Sequence, residues 1–284
     1  GGAGIQWLYG SRLGRLLSGL VALPPLSRLY GWLQDRPASK RKIMPFIEKY
    51  QIRMEDFLPE DGRSSESPYS TFNRFFTRKV KSEARPFAAD EAFPAPCDAR
   101  YYAYSALNDS VSVPVKGSLF KASSLLQNPT WQDHFEDGPG FIARLCPVDY
   151  HRFHFPDDGE VLDTWTIEGA LHSVNPWALA CREDIFMVNE RQVSILETAN
   201  FGKLAYVEVG ATCVGKIQQT YDSPTFRRGA EKGMFLFGGS TVIVLGEKGR
   251  WQIDAPILAR TEQGIETYLQ LGSRLGSTGA GSQT

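Results

Sequence analysis

The sequence predicts an α+β protein in which N-terminal amphipathic helices precede a mainly antiparallel β core. Two observations predict this class. Apolar residues near the start recur at helical spacing, whereas from about residue 93 short β-branched and aromatic runs alternate with turn residues. The chain has 284 residues, of which 42% are hydrophobic, so it can bury a sizeable core.

The first helices combine apolar residues with basic charge. Residues 1–55 hold nine Lys/Arg and three Asp/Glu. A helical hairpin packed on its own core and a pair of interfacial helices both fit this pattern, and the basic excess favours the membrane surface. No apolar run reaches about 18 residues, so no spanning helix is expected. The apolar positions at helical spacing are Trp7, Leu8, Leu13, Leu16, Leu17, Leu20, Leu29, Tyr30, Trp32 and Leu33.

Two further short helices are predicted at 40–52 and 70–80, and Ser70 or Thr71 is the expected cap of the second. The polar stretch at 59–70 between them is the expected domain boundary. We therefore divide the chain into a helical membrane-associating segment at 1–66, a core at 67–272 and a flexible tail at 273–284.

The core is predicted to consist of short, mostly antiparallel strands. One of these runs, at 235–245, suggests a hairpin that turns at Gly238-Gly239-Ser240-Thr241. The expected strand regions are 99–107, 110–119, 140–146, 160–169, 192–198, 203–217, 235–245 and 250–258.

Charge and cysteine content exclude several function classes. The net charge of −1 gives no reason to expect a nucleic-acid partner. The cysteines are widely spaced and form no CxxC pair, which favours reduced thiols in a cytosol-facing protein. No HExxH segment is present, and no metal site is expected. The cysteines are Cys97, Cys146, Cys181 and Cys213.

Four polar residues are candidates for chemistry. His151 and His154 share the segment "CPVDYHRFHFPDDG", where a spacing of three on a strand sends the two rings to opposite faces. Asp98 precedes a predicted strand and could orient an imidazole. Ser240 follows two glycines, which leave the preceding carbonyl open to close approach, but it lacks the strand–turn–helix context of a hydrolase nucleophile.

Eight segments follow one another along the chain in a recognisable order: "TFNRFFTR", "ARPF", "FPAPCDAR", "DYHRFHFP", "HSVNPWAL", "NER", "VGATCVGKI" and "FGGSTV". Together they resemble one known family, the phosphatidylserine decarboxylase proenzymes. The resemblance extends over about residues 67–260 and includes the "GGST" processing signature. Two departures occur: the family usually has Pro-Ala-Asp-Gly where this chain has Pro96-Cys97-Asp98-Ala99, and Gly238 replaces the leucine of many members.

The resemblance implies a role for each candidate. Ser240 would be the precursor of a covalent pyruvoyl group, with the chain cut between Gly239 and Ser240. Asp98 and His154 match the acid and base of self-processing, and His151 matches the histidine of substrate handling and decarboxylation. The pyruvoyl group would form a Schiff base with phosphatidylserine, and the reaction would yield phosphatidylethanolamine and CO2.

The resemblance also implies two packed sheets, a heterodimer of the cleaved β chain (1–239) and α chain (240–284), and a possible homodimer. A two-tailed phospholipid does not leave the bilayer readily, so the enzyme is expected to lie peripherally on the cytoplasmic side of the cell membrane. Two alternatives stay open at this point. One is a membrane-associated serine hydrolase that uses Ser240, His154 and Asp98; the other is a non-catalytic membrane-binding module.

Overall fold

A computed structural model describes residues 2–107, 122–182, 184–212 and 216–279. The strand predicted at 110–119 lies outside these ranges, as does Cys213. Within the described chain the helices occupy mainly the N-terminal part and the strands occupy the rest.

The N-terminal segment is helical, as predicted. It comprises α1 (Gly2–Gly10), α2 (Arg12–Val21), α3 (Pro24–Gln34), a 3-10 turn (Pro37–Lys42) and α4 (Ile43–Tyr50). The Ser11 side chain caps α2 by accepting from the Gly14 amide at 2.9 Å. Among the described residues, no helix has both the length and the apolar character needed to cross a membrane.

The helix predicted at 70–80 is shorter than expected. Only α5 (Phe72–Phe76) is α-helical, and its cap is Thr71, whose hydroxyl accepts from the Arg74 amide at 3.2 Å. Short 3-10 turns lie at Met54–Asp56 and Ser82–Ala84. The remaining α-helices are α6 (Ala122–Leu126), α7 (Pro176–Cys181), α8 (Ile185–Val188) and α9 (Ala255–Glu262).

The strands of the described residues are β1 (Ala92–Pro94), β2 (Ala99–Leu107), β3 (Gly138–Leu145), β4 (Arg152–His154), β5 (Gly159–Ile167), β6 (Arg191–Thr198), β7 (Gly202–Val209), β8 (Ile217–Gln219), β9 (Thr225–Phe226), β10 (Glu231–Phe235), β11 (Ser240–Gly246), β12 (Trp251–Ile253), β13 (Thr267–Leu269) and β14 (Arg274–Thr278). They form three antiparallel sheets. The largest has eight strands in the order β13-β2-β3-β11-β7-β6-β5-β9, and the others have the orders β1-β14-β12 and β4-β10-β8. The expected α+β class with packed antiparallel sheets is confirmed.

The prediction of a hairpin at 235–245 is wrong, because the two strands do not pair with each other. β10 pairs with β4 and β8, whereas β11 pairs with β3 and β7, so the chain passes from one sheet to another between them. Gly238 has φ +149°, a conformation that residues with side chains rarely adopt. The apolar pattern of two adjoining strands could not reveal that each has its partners elsewhere in the chain.

Two expectations near the C-terminus also need correction. The tail predicted to be flexible from 273 contains β14, the central strand of the β1-β14-β12 sheet. The strand predicted at 250–258 ends at Ile253, because Pro256 lies in the first turn of α9, where a missing amide hydrogen costs nothing. The order of the tail depends on pairing with strands distant in sequence, whereas the early end of β12 is a local effect of Pro256.

A buried ion pair connects the β4-β10-β8 sheet to the eight-stranded sheet. Lys232 on β10 is completely buried, and its ammonium donates to Glu208 at 2.6 Å, to Ser194 at 3.0 Å and to Gln219 at 3.1 Å. The ring of Tyr206 lies 5.0 Å from the same nitrogen. All three donor positions of the ammonium are therefore used, which offsets the cost of its burial.

We expect Lys232→Met to destabilise the protein by about 3–5 kcal/mol, because it leaves Glu208 charged, buried and unpaired. The measurement is the free energy of unfolding in urea, made on single-chain Ser240→Ala protein so that the chain stays intact. The matched control is Lys232→Met with Glu208→Leu, which removes both charges and should recover most of the loss. A double variant as unstable as the single one would contradict this account.

Candidate active site

Ser240 lies at the start of β11, where the chain enters the eight-stranded sheet. Its side chain is completely buried, and its backbone is opposite Leu145 of β3. The Ser240 hydroxyl oxygen is 3.4 Å from Nδ1 of His151. A serine and an imidazole predicted separately from the sequence are thus brought together by the fold.

His151 is held in a closed slot. Its Nε2 is 2.9 Å from the carbonyl oxygen of Cys146, and its ring stacks on Phe76 with a centroid distance of 3.9 Å. Because a carbonyl oxygen can only accept, Nε2 carries the hydrogen in this arrangement. Nδ1 is then left with a free electron pair directed toward the Ser240 hydroxyl.

The environment of His151 keeps its ring neutral. Burial lowers the pKa of His151 to about 3, with a smaller contribution from the positive charge of Arg78, while the Cys146 hydrogen bond acts in the opposite direction. Above about pH 4 the imidazole is therefore unprotonated and able to accept a proton.

His154 is directed elsewhere. Its Nδ1 lies 2.9 Å from the carbonyl oxygen of Gly229, and its Nε2 lies 3.1 Å from the hydroxyl of Tyr150. Burial lowers the pKa of His154 as well. Since Nδ1 must donate to the carbonyl, Nε2 accepts from Tyr150, and both ring nitrogens are engaged away from Ser240.

Asp98 is also engaged elsewhere. Its carboxylate accepts one bifurcated hydrogen bond from Nε of Arg85, with its two oxygens at 3.0 and 3.2 Å, one from Nη2 at 2.7 Å, and one from the Leu271 amide at 2.7 Å. It shares no hydrogen bond with His154, although both residues lie in the described chain. Ser240 and His151 are brought together, whereas Asp98 and His154 are not joined to them. The catalytic roles of all four stay predictions.

A cavity of about 350 Å³ opens beside the two glycines that precede Ser240. A side chain at Gly239 would meet only Val174, at 3.4 Å, so the peptide preceding Ser240 is not crowded. The cavity is lined on one side by Leu8, Tyr9 and Tyr30 of the N-terminal helices. A small ketone-bearing residue at 240, such as a pyruvoyl group, fits this arrangement because residue 240 faces a neutral imidazole and follows two glycines that line a mainly apolar cavity.

Sequence reasoning missed three contributors to this site. The Cys146 carbonyl fixes the His151 tautomer, the Phe76 ring stacks on His151, and Tyr9 fixes α1 by accepting from the Ser173 amide at 2.9 Å. Phe76 was within a segment that carried the family resemblance, "TFNRFFTR", which was the available signal. A backbone carbonyl leaves no such signal in a sequence.

Comparison with known proteins identifies the family. A family model described as phosphatidylserine decarboxylase matches residues 72–277. The chain belongs to the phosphatidylserine decarboxylase family. Among its relatives is the phosphatidylserine decarboxylase proenzyme of Clostridium botulinum (strain Langeland), 40% identical over 96% of this chain and 92% of the relative. The Chlamydia caviae proenzyme is 42% identical over 96% of this chain and 90% of the relative.

Membership of the phosphatidylserine decarboxylase family decides among the functional classes. The chain is an enzyme of the decarboxylase class, which excludes the non-catalytic module. The hydrolase alternative required Ser240, His154 and Asp98 to act as one set, and the hydrogen bonds of His154 and Asp98 are made with other residues. The functional question therefore becomes how Ser240 and its neighbours perform decarboxylase chemistry.

Proposed function

We propose that the protein is a self-processing, pyruvoyl-dependent decarboxylase that converts phosphatidylserine to phosphatidylethanolamine and CO2. The observation that carries this proposal is the contact between the Ser240 hydroxyl and Nδ1 of His151. Ser240 directly follows two glycines, and the chain is a member of this family. The names of the relatives, which are phosphatidylserine decarboxylase proenzymes, support both the substrate and the processing step.

Self-cleavage begins with proton transfer from the Ser240 hydroxyl to Nδ1 of His151. The oxygen attacks the Gly239 carbonyl carbon, the Gly239–Ser240 amide bond breaks, and the proton passes to the leaving nitrogen, which leaves an ester. Loss of the Ser240 α-proton and breakage of the Cβ–O bond release the Gly239 carboxylate and leave dehydroalanine at 240. Water then replaces its nitrogen, ammonia departs, and a pyruvoyl group caps the new chain.

The two chains produced, 1–239 and 240–284, stay joined by the fold. β11 of the small chain lies between β3 and β7 of the large chain, so it is hydrogen-bonded on both sides. Asp98 of the large chain accepts from the Leu271 amide of the small one. We therefore propose a role for Asp98 in holding the cleaved chains together around the site.

The pyruvoyl group supplies an electrophilic carbonyl for the substrate amine and accepts the electron pair released as CO2 leaves. The chain's own residues perform the other tasks. The cavity beside Gly238 and Gly239 admits the headgroup, and its apolar lining suits a reaction in which a carboxylate loses its charge. His151 can carry a proton on Nδ1, the atom that faces residue 240.

We also propose that the N-terminal helices bind the membrane surface on the cytoplasmic side of the cell. The supporting observation is that α2 and α3 have their apolar faces outward. Small and polar residues of these helices are buried against the protein, namely Gly14, Ser18, Ser27, Gly31 and Gln34. Large apolar residues are 37–61% exposed instead, namely Leu13, Leu17, Leu20, Leu26, Leu29, Trp32 and Leu33.

Such an arrangement is unfavourable in water and is expected where a lipid phase covers the helices. Exposed basic residues on the same segment, including Arg12, Arg36 and Lys40, suit anionic headgroups. Because Leu8 of α1 and Tyr30 of α3 line the cavity near Gly239, a bound membrane would lie close to the entrance of the site.

Expression of the wild-type chain should yield two fragments, 1–239 and 240–284. The Ser240→Ala variant should stay one intact, inactive chain, because it lacks the hydroxyl oxygen that attacks the Gly239 carbonyl. Intact mass spectrometry measures both outcomes, and the small fragment should have the mass of a pyruvoyl-capped chain. Persistence of wild-type protein as one chain would argue against self-processing. Cleavage in the Ser240→Ala variant would show that the cut lies elsewhere.

We expect His151→Ala to slow self-cleavage by about 100-fold or more, since it removes the base facing Ser240. His154→Ala should slow it less, because its ring nitrogens bond to Tyr150 and Gly229. The measurement is the half-time of fragment formation after cell-free synthesis of the full chain. The opposite order of effects would identify His154 as the base and require its ring to leave both partners.

The double substitution Leu20→Glu and Leu29→Glu should reduce binding to phosphatidylserine-containing vesicles at least about tenfold, because it places charge on the face assigned to lipid. Self-cleavage should be unaffected. The matched control is Leu162→Glu, a residue of β5 that is 40% exposed, which should leave vesicle binding unchanged. Equal co-sedimentation of the double variant and the wild type would refute the membrane assignment.

A further inference from the structure

The basic residues of the N-terminal segment are concentrated around the 3-10 turn Pro37–Lys42, which follows α3. We call residues 36–42 the basic turn. Asp35 is the sole acidic residue in positions 1–42, and its carboxylate accepts from the Asn73 side chain at 2.8 Å. The basic turn therefore has a local excess of positive charge. Its exposed basic residues are Arg36, Lys40, Arg41 and Lys42.

The charges of the basic turn are not offset within the part of the chain that the structure describes. Lys40 donates to the Ser67 hydroxyl at 2.6 Å, and Lys42 donates to Oε1 of Gln34 at 2.9 Å, so both contacts are with neutral groups. Among the described residues, no carboxylate forms an ion pair with any of the four basic side chains. Their charge is therefore available to an anionic partner outside the chain.

The basic turn is held in place by the protein beneath it. Ser39, in the middle of the turn, is 4% exposed. Its hydroxyl oxygen lies 2.6 Å from the Arg36 carbonyl oxygen and accepts from the amide of Phe72, the first residue of α5, at 2.9 Å. The backbone of the turn is thus joined to the core, and the basic side chains start from a fixed position on the surface.

That position is the border between the apolar face of α3 and the cavity of the site. The guanidinium of Arg36 lies 3.7 Å from the ring centre of Trp32, an exposed residue of the apolar face. The ammonium of Lys42 lies 5.8 Å from the ring centre of Tyr30, which lines the cavity beside Gly239. With the apolar face in the hydrocarbon of a bilayer, these cations would lie at the level of the headgroups.

The proposed reaction changes the charge of the lipid that the basic turn would meet. A phosphatidylserine headgroup has an anionic phosphate, an anionic carboxylate and an ammonium, whereas phosphatidylethanolamine lacks the carboxylate. When the bond to the carboxylate breaks, its electron pair stays on the headgroup carbon, a proton adds there, and CO2 leaves without charge. Each turnover therefore converts an anionic lipid into a neutral one, and the attraction of a membrane for a polybasic segment falls with its negative charge.

We propose that the basic turn makes the attachment of this enzyme selective for anionic, substrate-rich membranes, and that the reaction itself weakens this attachment as it consumes the anionic lipid. The inference rests on the proposed decarboxylation and membrane contact. The apolar face of α2 and α3 gives affinity for any bilayer, and the basic turn gives the preference for negative charge. The enzyme would thus leave a membrane region once its substrate is spent.

The first test measures vesicle binding with Ser240→Ala protein, so that the lipids do not change during the measurement. Phosphatidylcholine vesicles contain an equal fraction of phosphatidylserine, of phosphatidylglycerol or of phosphatidylethanolamine. Binding to both anionic mixtures should be at least about tenfold tighter than to the phosphatidylethanolamine mixture, and added salt should reduce the difference. Phosphatidylglycerol is anionic but has no serine, so it separates attraction by charge from recognition of substrate in the cavity.

The variant that tests the basic turn replaces all four of its basic residues by glutamine and should lose most of this preference. The charge-matched control removes the same number of exposed basic residues from the β core and should keep it. If the fourfold variant unfolds at a lower temperature, Lys40→Gln with Arg41→Gln decides instead, since the contacts of Arg36 and Lys42 stay in place, and it should lose part of the preference. The control carries Arg227→Gln, Lys248→Gln, Arg250→Gln and Arg260→Gln.

The second test follows the wild-type enzyme on phosphatidylserine vesicles over time. The bound fraction should fall as phosphatidylethanolamine forms, whereas Ser240→Ala protein should stay bound. Vesicles that also contain phosphatidylglycerol should retain the wild type after all the phosphatidylserine is converted, because their negative charge persists.

Three results would overturn the inference: equal binding to the anionic and neutral mixtures, an unchanged preference in the basic-turn variant, or full retention of the wild type after complete conversion without phosphatidylglycerol. A preference for phosphatidylserine that phosphatidylglycerol does not share would assign the selectivity to the cavity instead and would also overturn it. Absence of phosphatidylethanolamine formation by the wild type would count against the proposed function. The binding of Ser240→Ala protein does not depend on that outcome, so the two failures are distinguishable.

Discussion

The hydrogen bond between Nε2 of His151 and the Cys146 carbonyl is the constraint on which the site depends. A carbonyl oxygen cannot donate, so this contact fixes the tautomer and leaves Nδ1 bare toward Ser240. Burial keeps the ring neutral, and Phe76 keeps its plane in place. Without the Cys146 carbonyl, the His151 hydrogen could sit on Nδ1 instead of Nε2. His151 and Ser240 would then still be neighbours, but Nδ1 could not accept the Ser240 proton.

The connection between two sheets gives the Gly-Gly-Ser segment its significance. β10 and β11 are each paired with strands from other parts of the chain, so the short link between them carries no strand pairing of its own. A break in this link leaves both sheets intact. The buried pair of Lys232 and Glu208 holds β10 against the eight-stranded sheet on the side that precedes the link. Cleavage of this link would therefore remove no strand pairing from either sheet.

The N-terminal helices connect the site to the surface that we propose binds lipid. Tyr9 and Ala22 hydrogen-bond to the segment at 171–173, so the helices are fixed to the core by direct contacts. Their outward leucines and inward serines reverse the usual order of a surface helix. A substrate with an apolar tail and a reactive headgroup matches a protein in which apolar surface and reactive cavity share the same helices.

The sequence by itself determined the α+β class, the N-terminal helices, most strands and the identity of Ser240, His151, His154 and Asp98 as candidates. These follow from local periodicity and from ordered motifs, both of which are written in neighbouring residues. Only the tertiary structure decided that the 235–245 hairpin does not form and that residues 274–278 are a central strand. It also decided that His151, rather than His154, faces Ser240. Those outcomes depend on hydrogen bonds between residues far apart in the chain. Some of these bonds are accepted by backbone carbonyls, which every residue has, so the residue type does not reveal them.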